Sequence, residues 1–231
     1  SGSKVPKKPF SIALALSDKI DTLVGFFGIN QKPTSSKDPF ALRRLTLGVI
    51  RIIVENKNHI KIRDLINYSA SLYIDQGFKF ENKLLQKELS EFLMDRLKFY
   101  MKEENIRNDI IQASINSHNL DQLVVIFEKA KHLDKIISKS NGHEIISSYK
   151  RASNILESEL KGQNFDHSNT TDPGIFKTDF EKNLFKKIND LRKYFSSINK
   201  DEVYSESLDN LFDAKKVIND FFDNVIVNDV D

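Results

Sequence analysis

The stretch KDPFALRRLTLGVIRIIVE, Lys37 to Glu55, decides how the rest of the chain is read. Asp38 followed by Pro39 is a capping residue before a first-turn proline, and it predicts a helix from Asp38 to about Asn56. Phe40, Leu42, Leu45, Leu47, Val49, Ile50, Ile52, Ile53 and Val54 put apolar side chains almost all round it. A helix of that kind belongs in the middle of a core. The exceptions are Arg43, Arg44 and Arg51, which fall within one arc of about 100° with Glu55 at its edge. Two readings of that arc stand side by side. It is either a wet helix edge, its arginines paired with carboxylates, or an anion site that uses bidentate guanidinium geometry on phosphate.

Working outward, every neighbouring segment also reads as helix. Pro9 to Phe27 opens on a proline and ends at Gly28, and a polar loop runs from Asn30 to Lys37. Ile60 to Gln76 stops at Gly77, Asn82 to Glu104 is long, and Asn108 to Asn116 is short. The polar run His118 to Asp121 is the expected boundary. Beyond it, Asp121–Ser138, Gly142–Leu160, Lys177–Ile198 and Asp201–Asn224 carry apolar residues at spacings of three and four. The stripes are Leu123, Ile126, Ala130, Leu133 and Ile137; Ile145, Tyr149, Ala152, Leu156 and Leu160; Phe180, Leu184, Ile188, Leu191, Phe195 and Ile198; and Tyr204, Leu208, Leu211, Ile218 and Phe222. A twelve-residue polar loop, Gly162 to Pro173, separates the second and third of these helices. Only Val225 to Val227 hints at a strand. The fold class is all-α with two helical regions, 9–117 and 118–231, after a lead-in of residues 1–8.

Composition narrows the chemistry. The 231 residues include no Cys, which removes disulfides, thiolate metal sites and a thiol nucleophile. No run of about 18 apolar residues suggests a membrane span, and no signal peptide is read at the start. The opening Ser1-Gly2-Ser3 without Met is expected to be the remnant of a cleaved tag on part of a longer protein. The net charge of +2 conceals a split: residues 1–110 hold 19 basic and 13 acidic side chains, and residues 111–231 hold 16 and 20. A basic footprint over the whole chain, as nonspecific DNA binding requires, is absent.

Local cationic faces remain. Ser147, Lys150, Arg151 and Asn154 oppose one apolar stripe, and Lys182, Lys186, Asn189 and Lys193 oppose the next. Such faces are either solvated surface or a grip on folded RNA, with lysines on phosphate and amides or rings on unpaired bases. Catalytic signals are poor. His59, His118, His132, His143 and His167 are scattered, and no serine sits in a glycine elbow, so neither catalytic residues nor a metal site are expected. Asp18 and Asp21 lie three apart and can share a helix face; polar-face residues and a two-carboxylate phosphohydrolase site are the two readings.

Several stretches resemble the beta subunit of bacterial glycyl-tRNA synthetase. They are ALALSDKIDTLVGFFGIN (Ala13–Asn30), the Lys37–Glu55 stretch, FLMDRLKFYMKEENIRNDIIQASI (Phe92–Ile115), YKRASNILE (Tyr149–Glu157) and LDNLFDAKKVINDFFDNVIV (Leu208–Val227). The resemblance runs in order over nearly all of the chain. It implies the C-terminal third of a subunit that binds tRNA, in a ligase joining glycine to tRNA with ATP. It places adenylation on the alpha subunit, implies two alpha and two beta subunits in the cytoplasm, and leaves no cofactor in this stretch, ATP and magnesium serving the holoenzyme. Ala13–Gly28 resembles the last helix of an HD-type domain, where Asp18 would match a metal ligand. The accompanying His-Asp pair is absent here, so metal hydrolysis is not inherited. From about Leu120 the chain resembles a DALR-type anticodon-binding bundle. Its expected contacts with glycine tRNA are Tyr149, Lys150, Arg151, Asn154, Lys182, Lys186 and Lys193, with Arg43, Arg44 and Arg51 as further cationic candidates. The alternative is a scaffold that docks subunits without touching RNA. The family continues into a further helix beyond the point matching Asp231, which would leave part of the Phe221/Val225 surface bare.

Overall fold

A computed structural model describes residues 4–115, 120–138, 142–160, 171–197 and 204–226. The described residues are all helix, turn and loop. In chain order the helices are α1 (Pro9–Gly28), α2 (Leu42–Glu55), α3 (Ile62–Asp75), α4 (Asn82–Glu103), α5 (Asn108–Ile115), α6 (Leu123–Ile137), α7 (Gly142–Leu160), α8 (Asp179–Ser197) and α9 (Tyr204–Asn224). Short 3-10 turns cover Leu120–Gln122 and Pro173–Ile175. Val225 and Ile226 are irregular rather than strand. The chain divides into two compact units, Ser1–Lys131 and His132–Asp231. Most of the polar run His118–Asp121 lies outside the described residues. The first half of α6 packs with the first unit: Val124, Ile126 and Ala130 are buried, and the Phe127 ring stacks on Tyr100 at 5.3 Å.

In the first unit α2 packs on α1 and α4. Val49, Ile50, Ile52 and Ile53 are at most 2% exposed, as the near-continuous apolar pattern requires. Its start differs from the expected one. Helix geometry begins at Leu42, and Asp38 caps from four residues upstream: its carboxylate accepts from Leu42 N–H at 2.8 Å and Arg43 N–H at 3.0 Å. Pro39 and Phe40 form the turn in between, and Ala41 turns left-handed at φ 54°. Two of the helix's orphan donors are thereby satisfied.

Helix α4 explains how one element meets several. Leu85, Leu89, Leu93, Leu97 and Met101 recur at strict spacing of four and are all buried. Each step turns about 40°, so the stripe sweeps about 160° round the helix and can face α1, α2 and α3 in turn. Burying each such side chain contributes about 1.5–3 kcal/mol.

The first four helices end alike. Asn30, Lys57, Gly77 and Asn105 take positive φ just past α1, α2, α3 and α4. In each case the next N–H reaches back five residues: Gln31 to Phe26, Asn58 to Ile53, Phe78 to Tyr73, and Ile106 to Met101. These are Schellman caps, which close the last carbonyls and reverse the chain sharply. They let α1–α4 pack as neighbours through short connections.

In the second unit α9 packs on both α7 and α8. Helix α8 opens on a capping box. The Glu181 carboxylate accepts from Thr178 N–H at 2.6 Å and Lys177 N–H at 3.0 Å, while Thr178 Oγ1 accepts from Glu181 N–H at 3.3 Å. These bonds, chiefly those with Thr178, hold the Glu181 carboxyl below the usual carboxylate range.

Candidate nucleic-acid interface

Helix α7 carries Tyr149, Lys150, Arg151 and Asn154, all exposed. Tyr149, expected on the apolar stripe, is 71% exposed. Its neighbour Ser148 is the buried residue, donating its hydroxyl to Asn219 on α9. At 100° per residue Lys150 and Asn154 lie within about 40° of each other and face away from that packed side. Tyr149 and Arg151 flank it in opposite directions, so the four do not form one patch.

Arg151 is not a free cation. One guanidinium nitrogen is 2.9 Å from the Asp223 carboxylate, another donates to the Phe222 carbonyl at 2.8 Å, and the group lies over the Phe222 ring at 5.1 Å. It therefore caps the C-terminal end of α9, where the helix dipole favours a cation. Its side chain nevertheless remains 51% exposed.

On α8 the pattern holds together better. Lys182, Lys186 and Lys193 fall within an arc of about 40° and all are exposed. Lys182 stands 3.5 Å from Asp179, an exposed pair that restrains it little. Opposite this row the apolar stripe is only partly covered, with Phe180, Ile188 and Phe195 at 37%, 40% and 42% exposure. Phe221 and Val225 on the α9 side are half-buried. Most of the loop from Gly162 to Pro173 and residue Ile198 lie outside the described residues.

The arginines of α2 separate. Arg43 donates to the Thr34 carbonyl, and Arg51 Nε is 2.8 Å from Glu55. Arg44 is exposed and, among the described residues, has no polar partner.

The first unit also holds a cavity of about 850 Å³ between α1 and α3, bordered by Leu16, Asp18, Asp21, His59 and Tyr68. The two carboxylates serve differently. Asp21 accepts from Ser69 Oγ and Tyr73 Oη, both at 3.1 Å, whereas Asp18 is solvent-facing, 3.7 Å from Lys19. Burial first, then Asp21, pushes the Tyr73 hydroxyl above its ordinary pKa. Among the described residues no three His, Asp or Glu side chains lie close enough to hold a metal. Nor, among them, is any helix long and apolar enough to cross a membrane.

Sequence reasoning located the cationic rows but not their partners. Asp223 and Phe222 sit 71 or more residues from Arg151. No local spacing announces such a contact.

Comparison with known proteins gives these faces a context. The family described as glycyl-tRNA synthetase beta subunit matches residues 1–116, and the DALR anticodon binding domain matches residues 145–231. The glycine–tRNA ligase beta subunit of Cereibacter sphaeroides is 33% identical over 224 residues, covering 97% of this chain and 32% of that protein. That of Dinoroseobacter shibae is 34% identical, covering 97% of this chain and 34% of that protein. That of Rickettsia canadensis is 36% identical, covering 94% and 31%. The chain spans about a third of the length of these relatives.

Proposed function

Since the chain belongs to the glycyl-tRNA synthetase beta-subunit family, we propose that it supplies the tRNA-gripping end of a glycine–tRNA ligase. In this reading residues 118–231 are the anticodon-binding domain and 9–117 a helical body joined to the rest of the subunit. Lys182, Lys186 and Lys193, with Lys150 and Arg151, hold the phosphate backbone of the anticodon arm of glycine tRNA. Asn154 and Tyr149 address unpaired bases. Arg44 is the one member of the α2 arc left open toward RNA. Bond-making takes place on the alpha subunit with ATP and magnesium, in a cytoplasmic assembly of two alpha and two beta chains. The anticodon arm held here would orient the distant acceptor end toward that site.

The carrying observation is the row of exposed lysines on α8 inside the stretch matched by the anticodon-binding family. A fluorescence titration with glycine tRNA at low and moderate salt tests it. Lys150→Ala with Arg151→Ala is expected to weaken binding and flatten its salt dependence; an unaltered affinity and slope would remove α7 from the interface.

One observation favours the second reading, a docking scaffold. Phe10 and Leu14 on α1 are 80% and 62% exposed, and their chain neighbours Pro9 and Ala13 line the α1–α3 cavity. A contiguous apolar surface of that kind marks a protein contact. Size-exclusion mixing with the alpha subunit distinguishes the readings. Co-elution without RNA binding supports the scaffold alone.

A further inference from the structure

We propose that the cleft between α8 and α9 seats a single unstacked RNA nucleotide, with its base against the ring of Phe180. This rests on the RNA-binding reading above and adds to it a place, a ligand unit and a base preference. The cleft has a volume of about 270 Å³, room for one nucleotide rather than a helix. Its α8 side is built by Phe180, Asn183, Lys187 and Asp190, which fall within an arc of about 80°. Asp220 faces them from α9.

Three features point to a nucleotide. First, Phe180 is 37% exposed and, among the described residues, no other ring stacks on it. It offers an aromatic face of the kind that bases cover, whatever their identity. Second, the lysine row of α8 borders the cleft, because Lys186 belongs to both. Lys187 lines the cleft as well, so a backbone that leaves the row at Lys186 and crosses to Lys187 passes the mouth of the cleft, and one base turned out of its stack reaches Phe180. Third, the polar groups inside are open. Among the described residues none closes an ion pair with Lys186, Lys187, Asp190 or Asp220. Lysines supply donors for phosphate, and the Asn183 amide can serve either role.

The carboxylates set the preference. Ionised Asp190 and Asp220 only accept hydrogen bonds, so they suit a base edge bearing an exocyclic amine. Uracil puts a carbonyl oxygen where cytosine has its exocyclic amine, so the carboxylate facing that position disfavours it.

The test uses the 231-residue chain and the anticodon stem-loop of glycine tRNA, with Phe180→Leu to keep apolar bulk and Asp190→Asn to keep shape. Thermal unfolding confirms that both variants fold. Phe180→Leu is expected to weaken binding about tenfold with the salt slope unchanged, since stacking involves no counterion release. Replacing unpaired cytosines by uracil one at a time should reproduce that loss at one position, and Asp190→Asn should shrink the difference there. If Phe180→Leu binds as tightly as the parent while lysine variants bind weakly, the seat is wrong and the RNA face stands. If the parent chain binds no RNA, both fall together.

Discussion

Arg151 in the middle of α7 and Asp223 in the last turn of α9 stand 2.9 Å apart, and the same guanidinium caps the α9 carbonyl of Phe222. One side chain thus ties two helices and still shows half its surface to solvent. The two roles separate by mutation. Asp223→Ala removes an exposed ion pair worth about 0.2–1 kcal/mol and a negative charge, so RNA affinity should hold or rise. Arg151→Ala also loses the carbonyl bond and ring contact, for about 1 kcal/mol in all, and affinity should fall. Thermal unfolding run beside RNA titration reads both; equal affinities for the two variants would reduce Arg151 to a helix tie.

The Schellman caps make a second prediction. Three of the four left-handed positions are Asn or Gly, but α2 is closed by Lys57 at φ 52°. A lysine there costs about 1 kcal/mol relative to glycine. Its exposed contact with Glu128, 3.5 Å away, returns little. Lys57→Gly is expected to raise stability by about 0.5–1 kcal/mol in urea unfolding with an unchanged slope.

Gly28 makes a third. A Cβ there would stand 2.3 Å from Cε1 of Phe80, whose ring packs 5.4 Å from Tyr73. Gly28→Ala should cost about 1–3 kcal/mol, because the ring must move within a packed aromatic group. Adding Phe80→Leu should recover part of that loss. Simple additivity of the two changes in a double-mutant cycle would show that the ring already has room.

Alkaline pH supplies a fourth. Burial, then the Glu104 and Glu55 carboxylates, outweigh Arg51 and push the Tyr100 hydroxyl from 10.0 up to about 12. A raised pKa means that the folded state holds the proton more tightly. The associated stability is therefore full below pH 10 and is lost as pH climbs toward 12. Tyr100→Phe should blunt the alkaline loss while leaving neutral-pH stability nearly unchanged. Phenolate absorbance followed across the same range should lose its latest-titrating tyrosine in the variant.

Much of this architecture can be read in the chain because it is local. Apolar spacing gives α4 and α7 to within a residue, and the DPF stretch marks the start of α2 through Asp38, though the cap works at a distance of four residues. The unlocal parts could not be read. Tyr149 fits the α7 stripe by spacing but is exposed, and Ser148 takes the packed place because Asn219 satisfies its hydroxyl. Lys182, Lys186 and Lys193 share a face by period alone. Phe180 looks like core by the same rule, yet the structure leaves it 37% exposed in a cleft with Lys186, Lys187, Asp190 and Asp220.

The central claim is that the lysine row of α8 carries RNA, and the salt dependence of binding tests it most directly. Affinity of the chain for the anticodon stem-loop is measured over a range of salt, beside the variant carrying Lys182→Ala, Lys186→Ala and Lys193→Ala. Each lost phosphate contact should lower the logarithmic slope by about 0.7–0.9, so the triple variant should bind weakly with a slope reduced by roughly 2–3. A triple variant with the parent's slope and affinity would contradict the account.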